Sequence, residues 1–375
     1  MLRASLWRAG LVIWGIFMLW PLTAWGEGKF TLSGFVDASF FYENLRHTNT
    51  FSLDEVELDI QAELQSWAGL RTDINFRAAD SGTVNTDVLG TQDISFDDLS
   101  ADDIMEQGYM YLVLPTQKLG LPFEATFRFG KFNAPIGWEV LDPVDAYQFS
   151  RSRVFNFGTP SNITGALLAF IFTPVVDLQL YAVNGWDLLR DNNKGKTFGG
   201  RLGLTPIKDV NWGLSLITGP EQDDNDDDYR TVFDTDLTIK LIPSLVIGVE
   251  FNYGWEENAA LGGGNAKWIG GLLTGHYKFT DIIGLTFRFD IFDDKDGARL
   301  PNDSPAVRQQ TAYALTLPPI FALADNMRLL FEFRYDKSNR DVFQKDNGRF
   351  RDDIFSVAGE FTYSFKHMFD IVVRQ

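Results

Sequence analysis

Apolar and polar residues alternate with a period of two along most of residues 30–365. In Ser52–Gln65, Val56, Leu58, Ile60, Ala62 and Leu64 fall on one face, and Glu55, Glu57, Asp59, Gln61 and Glu63 on the other. Leu285, Phe287, Phe289 and Ile291 oppose Thr286, Arg288 and Asp290; Met327, Leu329, Phe331, Phe333 and Tyr335 oppose Arg328, Glu332, Arg334 and Asp336. Alternation of this kind predicts antiparallel strands with one apolar and one polar face.

A soluble sandwich would show the same period, so length and connection pattern have to decide. Segments of ten to thirteen residues recur, whereas soluble strands average about 5–6 residues and tilted membrane strands need about 9–11. Short connections, such as those at 66–69, 173–177, 205–209, 242–244 and 280–281, alternate with long ones at 81–103, 132–162, 220–229, 256–265, 294–307 and 337–351. Short turns on one side and long loops on the other mark outer-membrane barrels. Tyr42, Trp186, Trp255, Tyr277 and Tyr335 recur at strand ends, where aromatic girdles sit. In lipid an open sheet edge would leave amides unpaired, so the sheet must close. The expectation is an all-β, transmembrane, antiparallel up-and-down β-barrel of about sixteen strands. The last strand is expected to end on Phe365, with residues 366–375 a tail or a further short strand.

A barrel of this size encloses water. Its inward set is ionic: an acidic row of Glu55, Glu57, Asp59 and Glu63, with Arg71 and Arg77 on the next strand, and Arg128, Arg201, Lys240, Arg288, Arg328 and Arg334 further round. Charges in a dry core would each cost several kcal/mol, so the charged face itself calls for a wet lumen. These groups solvate and pair across strands; as a set they also impose a field on passing solutes.

Positions 1–26 read as a cleaved export signal. Arg3 and Arg8 precede the apolar run Leu11–Trp20, too short to span a bilayer, and Ala24 and Gly26 occupy the −3 and −1 positions of a cleavage site before Glu27. Without this segment 31 Lys+Arg face 51 Asp+Glu, a net charge of −20 against −18 for the whole chain. Strand one follows so closely that no plug is expected. Aromatics at 14% argue against acidic disorder, and the absence of Cys excludes disulfides, thiolate metal sites and Cys nucleophiles.

One stretch breaks the pattern. Between "FEATFRFG" and "ALLAFIFTP" lie some thirty residues with no strand period, far longer than an ordinary connection. They carry Phe132, Trp138, Tyr147, Phe149, Phe155 and Phe157 together with Asp142, Asp145, Arg151 and Arg153. Such a segment either folds into the lumen and narrows it, with those charges and Arg128 setting passage, or packs as a cap on the rim. "GKFNAPIGWEVLDP…YQFSRS…FNFGTPSNITG" resembles the corresponding region of the outer-membrane β-barrel porins of the OmpL-like kind. The resemblance implies a channel for passive diffusion of small hydrophilic solutes or ions, in contact with outer-membrane lipid and lipopolysaccharide. By analogy alone it implies a homotrimer. Phosphate-type porins are more distant, and their Lys/Arg cluster has no match here. The acidic excess and the Glu55–Glu63 row point to cation preference.

Other chemistry is weakly signalled. "EQDDNDDDYR" (221–230) is read as a solvated acidic loop rather than a Ca²⁺ or Mg²⁺ site, and "DDKDG" (293–297) lacks the spacing of a calcium loop. "LGGG" (261–264) lacks the Lys-Ser/Thr of a phosphate loop. No metal, cofactor or nucleic-acid partner is expected. A hydrolase would need a His placed with a nucleophile, and His47, His276 and His367 lie in no such context. A non-conducting adhesin or scaffold barrel remains the rival to a porin.

Overall fold

The computed structural model describes residues 27–77, 104–301 and 309–372. The expected export signal and the expected long loop at 81–103 lie outside them. The chain forms one closed antiparallel barrel. Its strands are β1 (Glu27–Glu43), β2 (Asn49–Gln65), β3 (Ala68–Arg77), β4 (Met105–Val113), β5 (Glu124–Asn133), β6 (Asn162–Thr173), β7 (Val176–Val183) and β8 (Thr197–Ile207). They continue as β9 (Val210–Pro220), β10 (Tyr229–Ile242), β11 (Leu245–Glu256), β12 (Ala266–Lys278) and β13 (Ile283–Asp294). Then come β14 (Gln310–Leu317), β15 (Pro319–Ala324) and β16 (Met327–Ser338), a small ribbon β17–β18 (Phe343–Gln344, Phe350–Arg351), and β19 (Asp353–Val372). Apart from β14 and β15, each barrel strand pairs with the next barrel strand in sequence, and β1 pairs with β19 to close the ring. Pro318 has no amide to donate. It divides one barrel position into β14 and β15, which both lie between β13 and β16, so the wall has sixteen positions.

The strand ends differ from expectation at the C-terminus. Residues 366–372 are neither a tail nor a separate strand; they extend β19, pairing Val372 with Glu27 and Lys366 with Ser33. The residue after Phe365 still meets an unpaired stretch of β1, and in a membrane that stretch has to be paired.

The barrel is inside out relative to a soluble protein. Phe287, Phe289, Phe331 and Phe333 face outward and are 37–46% exposed, whereas Arg288, Asp290, Glu332 and Arg334 between them face inward and are 0–2% exposed. An apolar belt of this extent suits lipid, not water. One bulge sets the phase of β2. Asp54 has no partner between the pairs Asp37–Glu55 and Ala38–Leu53. Phe51 and Leu53 therefore face outward while Glu55 and Glu57 face inward. Trp186 does not join the outer aromatic girdle. It is buried, with the Arg230 and Arg299 guanidiniums 4.9 and 5.2 Å from its ring.

The lumen is only partly open. Residues 134–161, between β5 and β6, turn into it. Ile136 and Val154 of the loop pack there, beside Phe132 of β5, against Ile217, Val232, Trp268, Leu272 and Phe292 from the wall. The inside of the barrel thus has a small hydrophobic core, made by one loop against one arc of strands.

Candidate functional site

The inward loop contains only a 3₁₀ turn at Pro143–Asp145 and a single π-helical turn at Val154–Gly158. Its buried backbone groups need partners all the same, and charged wall side chains supply them. Asp234 of β10 accepts from Gly137 N (3.2 Å) and Glu250 of β11 from Trp138 N (2.9 Å). Glu332 of β16 accepts from Phe149 N (2.9 Å) and Ser150 N (3.2 Å), and Asp290 of β13 from Arg153 N (3.2 Å). On the carbonyl side, Arg328 of β16 donates to Pro143 O (2.6 Å) and to Ala146 O, and Arg334 donates to Arg151 O (2.8 Å). Asn252 of β11 reaches Gly158 O at 3.0 Å. The wall is a receptor for the loop's main chain.

Two glycines make the fit. Gly137 has φ +86°, in the left-handed region where a side chain is strained. Gly248 of β11 leaves the space that the Trp138 indole occupies; a Cβ there would overlap the ring. Trp138 Nε1 then donates to Thr238 Oγ1 at 3.0 Å. Tyr147 lies flat on His276 of β12, with ring centroids 4.5 Å apart. A cavity of about 210 Å³ remains beside these rings, lined by Trp138, Tyr147, Gln148, Thr238, Lys240 and Val246 among others.

The residues singled out from the sequence separate into two groups. Arg153, Arg288 and Arg334 are 7%, 0% and 1% exposed, so none is an open lumen charge. Arg153 pairs with Asp336, Arg288 with Glu139 (2.9 Å), and Arg334 with Asp336 (2.8 Å). Arg151 is half-buried, donating to Leu141 O with its guanidinium 5.6 Å from the Phe155 ring centre. Arg128 lies over Tyr109 at 5.6 Å. Lys240 and Glu63 are exposed; Arg201 is half-buried and bound to Asp236. The Arg77 backbone pairs with Glu55.

The second group is acidic and faces the loop from the opposite wall. Glu55 and Glu57 of β2, Asp73 of β3 and Glu106 of β4 are buried, and Asp59 is half-buried, 3.7 Å from Arg71 and 3.0 Å from Ser33 Oγ. Arg71 also binds Asp73 at 2.9 Å. Asp142 and Asp145 sit on the loop's 3₁₀ turn, towards this wall. Burial, and then the carboxylates of Glu106, Asp145, Asp59 and Glu55, push the Asp142 carboxyl up to about 7. Glu139 behaves oppositely: burial alone would raise its carboxyl, but Arg288 and Ser152 outweigh it and hold it below the usual carboxylate range.

Sequence periodicity places Glu250, Asn252, Glu332 and Asp336 on the inward face, without indicating that they hold a loop. It misses Glu139 and Glu106. Glu139 lies in an aperiodic stretch, and Glu106 is the second residue of β4, before any alternation is established.

Similarity to known proteins agrees with the barrel. No curated protein matches. OmpT, an outer membrane protein of Vibrio cholerae, is similar with a TM-score of 0.59 at 13% identity, over 90% of this chain and 98% of that one. An anion-selective porin from Comamonas acidovorans gives 0.60 at 11% identity, over 90% and 100%. The outer membrane channel DcaP of Acinetobacter baumannii gives 0.58 at 12%, over 92% and 100%. At these identities the likeness is one of fold. The family model described as "Putative beta-barrel porin-2, OmpL-like" matches residues 29–365, nearly the whole barrel, and the chain belongs to that family.

Proposed function

We propose that this protein is an outer-membrane porin, a water-filled channel through which small hydrophilic solutes or ions diffuse passively. The observation that carries the reading is the loop at 134–161. It is fastened inside the barrel by buried charged side chains, and its Asp142 faces the acidic wall of Glu55, Asp59 and Glu106. A pinned loop gives a narrow passage of fixed width, and fixed charges beside it select by sign. Asp142 and Asp145 are the groups a solute meets there, with Arg151, Arg153 and Arg128 shaping the field from behind. The acidic bias favours cations.

The same reading makes the protein a non-enzyme that works without a cofactor and is exported by residues 1–26. It meets lipid and lipopolysaccharide at its outer face. A homotrimer belongs to it as well, by likeness to a structure of OmpT in trimer form. Reconstitution in planar bilayers tests the proposal: discrete ohmic steps are expected, with a reversal potential of cationic sign in a salt gradient. A silent bilayer would sink the porin reading in favour of a non-conducting scaffold, and an anionic sign would sink the selectivity.

A further inference from the structure

Two charges of opposite sign border the cavity of about 210 Å³ beside the inward loop. Asp145 of the 3₁₀ turn and Lys240 of β10 both line it and both are exposed. Neither side chain has a hydrogen-bond or ion-pair partner among the described residues. Glu139 borders the cavity too, but Arg288, Gln148 and Ser152 N occupy it. Gln148 commits its Nε2 to Glu139 at 2.6 Å, and its Oε1 is left buried without a donor, which is costly for an amide oxygen. Trp138, Tyr147 and Val246 supply apolar lining. Both rings are held by the protein itself. Glu250 accepts from Trp138 N and Thr238 from its Nε1, while Tyr147 lies on His276, whose Nδ1 is 2.9 Å from Thr286 Oγ1. Lys240 and Val246 flank the β10–β11 turn at Ile242–Leu245, so the cavity lies between the loop and the short-turn end of the barrel.

We infer that this cavity is a binding subsite for small zwitterions, namely free α-amino acids with an apolar side chain. The inference rests on the porin reading and names a solute class for it. An α-amino acid carries an ammonium and a carboxylate on one carbon. It can present the first to Asp145 and the second to Lys240 while its side chain lies against the two rings. Its ammonium also brings the kind of donor that Gln148 Oε1 lacks. A simple anion would leave Asp145 unanswered, a simple cation would leave Lys240 unanswered, and an uncharged sugar would leave both. Hydrogen bonds between charged groups are the strong ones, so the charge pair decides between these classes. A concave, mostly apolar lining with a few polar groups is the usual form of a small-ligand site. The rings stand in place before a ligand arrives, so little ordering opposes binding.

The test compares L-phenylalanine with N-acetyl-L-phenylalanine, which has no ammonium, and with L-phenylalaninamide, which has no carboxylate. Binding to the purified full-length protein in detergent is read by saturation-transfer NMR, and block of the open-channel current in planar bilayers. L-phenylalanine is expected to bind and block about tenfold more tightly than either analogue, the factor that one charge-assisted hydrogen bond supplies. Asp145→Asn should make it no better than the acetyl analogue, and Lys240→Gln no better than the amide. Lys208→Gln, on the β8–β9 turn, should change nothing. Heat-modifiable migration on gels reports folding of each variant. Equal binding of all three ligands, glucose binding as tightly as L-phenylalanine, or variants that weaken all three alike overturns the inference. A silent bilayer together with discriminating binding in detergent supports the site and sinks the porin reading. Clear current steps without discrimination sink the site alone.

Discussion

Glu139 Oε1 of the inward loop lies 2.9 Å from Arg288 Nη1 of the wall, and neither side chain is exposed. Around this pair Gln148 and Ser152 N donate to Glu139, while Arg288 also donates to Ser150 O and Oγ. Breaking such a pair by removing one partner leaves a buried charge and costs about 3–5 kcal/mol. Glu139→Ala should therefore release the loop and raise single-channel conductance. Denaturant unfolding should show a loss in that range, and an unchanged conductance would mean that the loop does not set the passage.

Asp142 supplies a pH dependence. Its carboxyl stands at about 7 against an ordinary 3.8. It is therefore neutral in acid and becomes charged as pH rises through about 7. A raised carboxyl favours the folded state below pH 3.8, and that contribution is lost as pH rises to about 7. Cation preference should increase between pH 6 and 8, read as a reversal potential in a salt gradient. Asp142→Asn should remove that increase and leave the acidic-side value unchanged.

Gly248 is predicted to be intolerant of any side chain that must share space with Trp138. Overpacking of this kind costs about 1–3 kcal/mol. Gly248→Val should displace the indole from Thr238, with a changed tryptophan emission and near-ultraviolet dichroism while the far-ultraviolet sheet signal persists. Identical spectra would place Trp138 elsewhere.

Phe289 stands midway along β13 on the outward face, between the inward Arg288 and Asp290. Arg at the bilayer midplane costs about 2–4 kcal/mol. Phe289→Arg should lose that much stability in urea titrations of the barrel folded into vesicles. A urea midpoint that does not move would mean that this face does not meet lipid.

The barrel was legible in the sequence because lipid on one side and water or charge on the other impose a strict period of two, and closure follows from hydrogen-bond pairing alone. Even β13 and β16 could be placed face by face. The role of the inward charges was not legible. Arg288 and Arg334 read as open lumen charges because periodicity reports the direction of a side chain, not what arrives to meet it. What meets them is a loop from the first half of the chain, and no local pattern encodes that encounter. Trp186 was misplaced for the same reason, since an aromatic at a strand end serves a girdle or a cation–π sandwich equally well. The path of β19 past Phe365 was obscured because the alternation lapses there.

The seam that joins Glu27–Glu43 to Ser356–Val372 has a bearing on biogenesis. β1 takes one partner from its immediate neighbour in sequence and the other from the opposite end of the barrel domain. Until that distant stretch has been synthesised and exported, the growing sheet carries two raw edges, each able to pair with another molecule. Closing so long a span is intrinsically slow. The chain therefore depends on being kept apart from its own copies throughout its transit, and a truncation anywhere before Ser356 yields a species prone to aggregate rather than a smaller barrel.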